Sequence, residues 1–234
     1  MTKAEGTDIR LAAAVGKYAA VLTAALTIVT FAVAFTAVPI SGTFCLKDCV
    51  DYPYTDTAGQ YPHDYLWMPL AMLLTLAYVL LMACIHAVSD EGKRLFSGLG
   101  LGVALMAAAV LLIDYYVQFT VLPVSLIRGE TEGVALWTQF NPNGMFIALE
   151  ELGFLLMTLS FLCVSFVFAK SAALRWVFLL AAALTFLSLA ATGVTRWLER
   201  GYQFEIMAIS INWLALAISG ILLVRWFGRK ARAV

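Results

Sequence analysis

Long apolar runs, each without regular polar interruptions, dominate the hydrophobic pattern of this chain. A run of about 20 residues is long enough for a helix to cross the ~30 Å hydrocarbon core of a bilayer. Apolar positions do not alternate with polar ones, so the pattern favours helices over the strands of a β-barrel. It predicts six transmembrane helices, at residues 11–38, 65–88, 97–122, 143–169, 174–197 and 204–224.

Composition supports the same interpretation. The chain is 62% hydrophobic and 13% charged, and its mean hydropathy is +0.89, which lies outside the range of soluble globular domains. No segment has the composition of a soluble domain. We therefore expect one all-α domain over residues 1–234, a bundle of six transmembrane helices with two long extracytoplasmic loops at about 39–64 and 123–142.

The distribution of basic residues predicts that both termini are cytoplasmic. Of the 15 Lys and Arg residues, all but Lys47, Arg128, Arg196 and Arg200 fall on the side that the two termini share. Such an excess is typical of cytoplasmic loops. We expect a multi-pass protein of a bacterial or archaeal plasma membrane. The net charge of zero gives no reason to expect a nucleic-acid partner.

Cysteine and histidine positions limit the chemistry. Cys45 and Cys49, in the sequence FCLKDC, lie in the first outside loop, where oxidising conditions favour a disulfide. The other two cysteines fall within predicted spans, where a thiol usually acts as a small apolar filler. His63 and His86 fall near opposite ends of the second span, so they cannot share a metal or haem. We expect neither a metal nor a cofactor.

Carboxylates inside the apolar runs are the main functional signal. Each ionisable side chain near the centre of a membrane helix costs at least ~2.5 kcal/mol on insertion, so such residues usually serve a function. Asp114 precedes the end of the third run by eight residues, and Glu150 and Glu151 follow Asn143 by seven and eight. At ~1.5 Å per residue, all three lie roughly 10 to 12 Å from the outer end. The spacing predicts that they share one depth.

Helical spacing also predicts how these acids face. Glu151 shares a stripe with Thr158 and Ser165, so we expect Glu151 to point into the bundle and Glu150 towards a neighbouring helix or the rim. No lysine or histidine lies in the outer half of a span, and Arg196 could reach only one acid. We therefore expect at least one of the membrane acids to be protonated near neutral pH.

Polar and aromatic residues near the same depth complete a candidate pocket that opens outward. Aromatic rings around a carboxylate suit an amine or a flat amphipath. Each residue also has a structural interpretation, because aromatic rings form interfacial belts and a lone amide often bonds two helices. The candidate ligand-binding or proton-coupling residues are Asp114, Gln118, Glu150, Glu151, Asn212, Tyr115 and Trp213, with Arg196 and Glu205 at the mouth.

Three functions fit this pattern. The first is binding or transport of a small cationic or amphipathic ligand, coupled to proton exchange. The second is an acid–base enzyme acting on a membrane lipid, as an isomerase or hydrolase. The third is a structural or accessory subunit whose acids pair with a homo-oligomer copy or another membrane subunit. Membrane lipids are expected partners in every case.

Overall fold

The computed structural model describes residues 3–37, 39–196 and 201–232. This part of the chain is all-helical and contains six helices long and apolar enough to cross a membrane. The number of spans predicted from the hydrophobic runs is therefore confirmed. In chain order the helices are α1 (Lys3–Ala34), α2 (Trp67–Ala87), α3 (Arg94–Thr120), the short α4 (Leu122–Arg128) and α5 (Val134–Trp137), α6 (Met145–Ser165), α7 (Ala172–Arg196) and α8 (Gln203–Arg232).

Several helix ends differ from the ends of the apolar runs. The first run begins at residue 11, whereas α1 begins at Lys3, and the last run ends at residue 224, whereas α8 continues to Arg232. The extra residues are rich in charge. Hydrophobicity marks where a helix leaves the hydrocarbon, but the backbone can stay helical beyond that point.

The six long helices pack as a closed ring in chain order. Helix α1 packs on α2 and α8, α3 packs on α2 and α6, and α7 packs on α6 and α8, while α6 also reaches α8 across the ring. Small residues allow close approach. A Cβ atom on Gly220 would lie 2.8 Å from the carbonyl oxygen of Ala20, and one on Gly153 would lie 2.5 Å from the side chain of Leu111.

The long connections are ordered and contain only short helical turns. The first holds three 3-10 turns, at Gly42–Phe44, Thr55–Gln60 and His63–Tyr65. A disulfide joins Cys45 to Cys49, as the sequence predicts. The connection between α3 and α6 contains α4 and α5, so it is more helical than its mixed composition indicates.

The two ends of the bundle are built differently. At the loop end, formed by residues 39–66, 121–144 and 201–202, hydrogen bonds join segments that are far apart in the sequence. At the short-loop end, Lys93 Nζ donates to the Val167 carbonyl oxygen (2.7 Å) and Lys230 Nζ donates to Asp90 Oδ1 (2.6 Å). The candidate site lies at the loop end.

Candidate functional site

A cavity of about 430 Å³ opens at the loop end of the bundle. This volume lies within the usual range for small-molecule pockets, about 300 to 1,000 Å³. Helices α1, α2, α6 and α8 form its walls, and the two long connections cover it. The lining residues are Phe31, Ala34, Phe35, Ala37, Pro39, Ile40, Ser41, Phe44, Asp64, Trp67, Gln139, Phe140, Phe146, Ile147, Tyr202, Glu205, Ile206, Ile209, Ser210 and Trp213.

Hydrogen bonds among the lining residues hold the cover of the cavity together. Ser41 Oγ donates to the Phe140 carbonyl oxygen (2.5 Å) and lies 2.7 Å from the Tyr202 hydroxyl. That hydroxyl donates to the Gln139 carbonyl oxygen (3.1 Å). Burial raises the pKa of the Tyr202 hydroxyl above its ordinary value of 10.0, so it stays a neutral donor at physiological pH. The Gln139 amide donates to the Asp64 carbonyl oxygen (3.4 Å). The connection between α1 and α2, the connection between α3 and α6, and Tyr202 just before α8 therefore form one cover.

The wall of the cavity is mostly apolar and aromatic. Trp213 on α8 packs edge-to-face with Phe31 of α1 (ring centroids 5.6 Å apart) and with Trp67 of α2 (6.5 Å). Tyr115 lies behind Trp67 at 5.2 Å rather than in the wall itself. Of the two aromatic residues predicted for the site, Trp213 lines the cavity directly and Tyr115 supports it.

Acidic side chains from three helices meet beside this cavity. Glu205, in the first turn of α8, lines the cavity. Glu150 of α6 is fully buried behind it, and the carboxyl groups of Glu150 and Glu205 interact with each other. On the side of α3, the Tyr115 hydroxyl donates to Glu150 Oε1 (2.6 Å), and Asp114 interacts electrostatically with Glu150. The acids therefore run from the cavity into the bundle.

Two oxygens of this cluster are buried without a hydrogen bond among the described residues. They are Oδ2 of Asp114 and Oε2 of Glu150. None of the described residues that line the adjacent cavity is a lysine, an arginine or a histidine. An ionised carboxylate in such a place is costly unless a cation pairs with it.

The structure places both adjacent glutamates inside the bundle. Helical spacing predicts that Glu150 faces either a neighbouring helix or the rim. Both glutamates are buried, Glu150 at 0% exposure and Glu151 at 5%. Glu150 makes the contacts to α3 and α8, so it points to its neighbouring helices within the bundle and not to the rim. Glu151 acts electrostatically on Glu150 and Glu205. A stripe along one helix cannot locate the neighbouring helices, and these decide which acid lies at the centre.

The two predicted amides serve mainly to hold helices and loops. Asn212 Nδ2 donates to the Ala208 carbonyl oxygen (2.8 Å) and to Thr158 Oγ1 (3.0 Å), which joins α8 to α6. Gln118, oriented to satisfy both of its amide atoms, donates to the Trp137 carbonyl oxygen (2.8 Å) and accepts from the backbone N–H of Gln139 (3.0 Å). Neither side chain lines the cavity. The alternative reading of Asn212 as a bond between helices fits these contacts.

The sequence matches no protein-family model, no curated protein and no solved structure.

The predicted mouth of the pocket is only partly described. Glu205 is present in the cavity wall itself. The side chain of Arg196, the other predicted mouth residue, lies outside the part of the chain that the structure describes. The position of Glu205 arises because α8 begins beneath the cover, so that its first turn faces inward.

Sequence reasoning missed the polar groups that the loops contribute. Asp64, Ser41, Gln139 and Tyr202 all line the cavity. Asp64 is only 4% exposed, and it is held by a contact of 2.7 Å between its Oδ1 and His63 Nδ1. The one signal in the sequence is the adjacent His–Asp pair before α2. The other contacts join residues 63 to 161 positions apart, and no local pattern reveals them.

Proposed function

We propose that this protein binds, and moves across or within the membrane, a small amphipathic cation that enters the loop-end cavity. The observation that carries the proposal is the position of Glu205. This carboxyl group lines the cavity and is also the first of a row of buried acids on α8, α6 and α3. A cation in the cavity would therefore lie beside acids that have no cationic neighbour among the described lining residues.

The lining of the cavity supports an amphipathic ligand. Aromatic rings at Phe31, Trp67, Phe146 and Trp213 surround the space next to Glu205. Ring faces attract cations by about 0.5 to 2 kcal/mol each, more when water is excluded. Apolar walls favour a ligand with a hydrocarbon part, and the carboxyl group fixes the position of its charge.

Proton exchange follows from the balance of charge. A cation that pairs with Glu205 favours the ionised carboxylate, so a proton held by the Glu205–Glu150 pair would leave as the cation binds. The process exchanges one positive charge for another and leaves the net charge of the site unchanged. Asp114 and Tyr115 extend the same hydrogen-bonding region towards α3.

The orientation in the membrane belongs to the same proposal. The short-loop end contains most of the basic residues, and the loop end contains the disulfide Cys45–Cys49. Cytoplasmic loops are rich in Lys and Arg, whereas disulfides persist on the oxidising side. Both features support cytoplasmic termini and a cavity that opens outward, and the membrane we propose is the plasma membrane of a bacterium or archaeon.

Calorimetric titration of the protein in lipid nanodiscs would test the proposal. Benzyltrimethylammonium is the probe, and benzenesulfonate is a control of similar size and opposite charge. We expect the cation to bind, the anion not to bind, and the Glu205→Gln variant to lose at least about tenfold in affinity for the cation, because a buried charge pair is lost. Glu130→Gln removes an exposed loop acid and should bind as the unaltered protein does. Equal binding of anion and cation would contradict the proposal.

A second candidate function uses the same cavity. Asp64 and Glu205 both line it, and two carboxyl groups in different surroundings can act as acid and base on a lipid. Conversion of a membrane lipid by the purified protein, lost on Glu205→Gln, would support an isomerase or hydrolase. Folding that depends on a second membrane protein would instead support the accessory-subunit alternative.

A further inference from the structure

A basic groove lies at the short-loop end, at the opposite end of the bundle from the cluster of Asp114, Glu150 and Glu205. Helix α8 lies between α1 and α7 in the ring, and a groove of about 560 Å³ follows its outer surface. Four cations line it: Lys17 of α1 and Arg225, Arg229 and Arg232 of α8. No acidic residue is among the described residues that line it.

The arginines of α8 lie on one face of the helix. Arg225, Arg229 and Arg232 follow one another at steps of four and three residues, so their side chains are neighbours. Like charges at this spacing repel one another. Among the side chains that the structure describes, neither Lys17 nor any of these arginines makes an ion pair. The groove therefore concentrates positive charge that an external anion would neutralise.

Two lysines at the same end, Lys93 and Lys230, have polar partners within the fold. Lys230 bonds to Asp90 and lies 5.7 Å from the centre of the Trp226 ring, and Lys93 bonds to the Val167 carbonyl oxygen. These two lysines therefore stabilise the bundle. Their polar contacts within the fold distinguish them from Lys17, Arg225 and Arg229.

Counting residues from the loop end of each helix favours a groove at the level of lipid phosphates. Lys17 precedes the end of α1 at Ala34 by 17 residues, or about 26 Å at ~1.5 Å per residue. Arg225 follows the start of α8 at Gln203 by 22 residues, or about 33 Å. The hydrocarbon core is ~30 Å thick, so both cations lie near its boundary. Tyr18 and Trp176 are exposed at the same end, as aromatic residues at a membrane interface are.

The shape of the groove suits a lipid. Its lining also includes the apolar side chains of Ala173, Leu222 and Val224. The groove is open beside Gly228, where an added Cβ atom would meet nothing within 4 Å. Exposed apolar residues of α1 and α7 on the hydrocarbon side of these cations, such as Val21 and Leu180, provide a surface for acyl chains beside it.

We propose that this groove binds the headgroup of an anionic phospholipid, with the phosphate between Lys17, Arg225 and Arg229 and the acyl chains along α1 and α7. Basic pockets between membrane helices recognise lipid phosphates in this manner. The proposal is independent of the acids at the loop end, so failure of either proposal leaves the other standing.

Native mass spectrometry in neutral detergent would test the lipid site, with phosphatidylglycerol as the probe and phosphatidylcholine for comparison. We expect phosphatidylglycerol to bind at least about tenfold better, and Arg225→Gln/Arg229→Gln to lower its binding at least about tenfold, since each basic group near an anionic surface contributes about fivefold. The matched control Arg94→Gln/Arg128→Gln removes two exposed charges outside the groove and should leave binding unchanged.

Three results would overturn the proposal. Equal binding of the two lipids would exclude charge recognition, and an equal loss in the control variant would mean that only net charge matters. Glycerol 3-phosphate, added at the same concentration, should not displace the lipid. Full displacement would identify a soluble phosphate as the ligand and reject the membrane lipid.

Discussion

Replacing Tyr115 with phenylalanine removes one hydroxyl from the centre of the acid cluster. That hydroxyl donates to Glu150 Oε1 at 2.6 Å, and both side chains are almost fully buried, at 1% and 0% exposure. Water cannot replace the lost donor. The change therefore leaves a buried carboxyl oxygen without its hydrogen bond and changes little else in shape.

The expected cost can be bounded from general energetics. Hydrogen bonds between membrane helices contribute about 0.6 kcal/mol on average and up to about 1.7, whereas bonds to charged groups contribute about 1.5 to 3. Because this bond is short and fully buried, we expect Tyr115→Phe to lower the free energy of unfolding by about 1.5 kcal/mol. A loss above about 2 kcal/mol would indicate that Glu150 is ionised in the unliganded protein.

Reversible unfolding in mixed micelles measures this cost. Tyr116→Phe is the matched control, because Tyr116 is the next residue along α3 but is 61% exposed, so its hydroxyl lies outside the cluster. We expect the control to change stability by less than about 0.5 kcal/mol. Equal effects of the two substitutions would refute the inference that Tyr115 and Glu150 form an energetically important contact.

Two further predictions concern packing and the short-loop end. Gly153→Ala should lower the free energy of unfolding by about 1 to 3 kcal/mol, because the added Cβ atom would press on Leu111. Gly102→Ala is the control, since a Cβ atom there meets open space and should not destabilise the protein. Thermal unfolding of the two variants distinguishes them. The hydrogen bond from Lys230 lowers the pKa of Asp90 below its ordinary 3.8. The stability that ionised Asp90 contributes is therefore present above pH 3.8 and is lost as the pH falls through the lower folded-state pKa. Asp90→Asn should lower the free energy of unfolding by at most about 1 kcal/mol at neutral pH and by nothing in strong acid. A cost that persists at low pH would contradict this.

The sequence predicts the architecture well because the bilayer imposes a simple rule. Each span must be apolar for about 20 residues, and six such segments are evident. The disulfide is also predictable, because Cys45 and Cys49 are close in the sequence and fall in an outside loop. These features depend on local composition alone.

The arrangement of the site depends on contacts that local composition does not contain. The shared depth of Asp114 and Glu150 is predicted by counting residues, but the central position of Glu150 depends on how α3 and α8 pack around α6. Likewise, the bonds of Ser41 and Tyr202 that cover the cavity form only after the ring has closed. Helical stripes give directions relative to one helix, whereas a pocket is defined by several.

Infrared difference spectroscopy on the protein in nanodiscs, before and after addition of benzyltrimethylammonium, would show whether the acid cluster releases a proton when a cation binds. We expect a protonated-carboxyl band without the ligand that decreases when the cation binds. This decrease should be absent in Glu205→Gln but retained in Glu130→Gln. A spectrum in which no protonated carboxyl group responds to the cation would contradict a proton-exchanging acid cluster at the cavity.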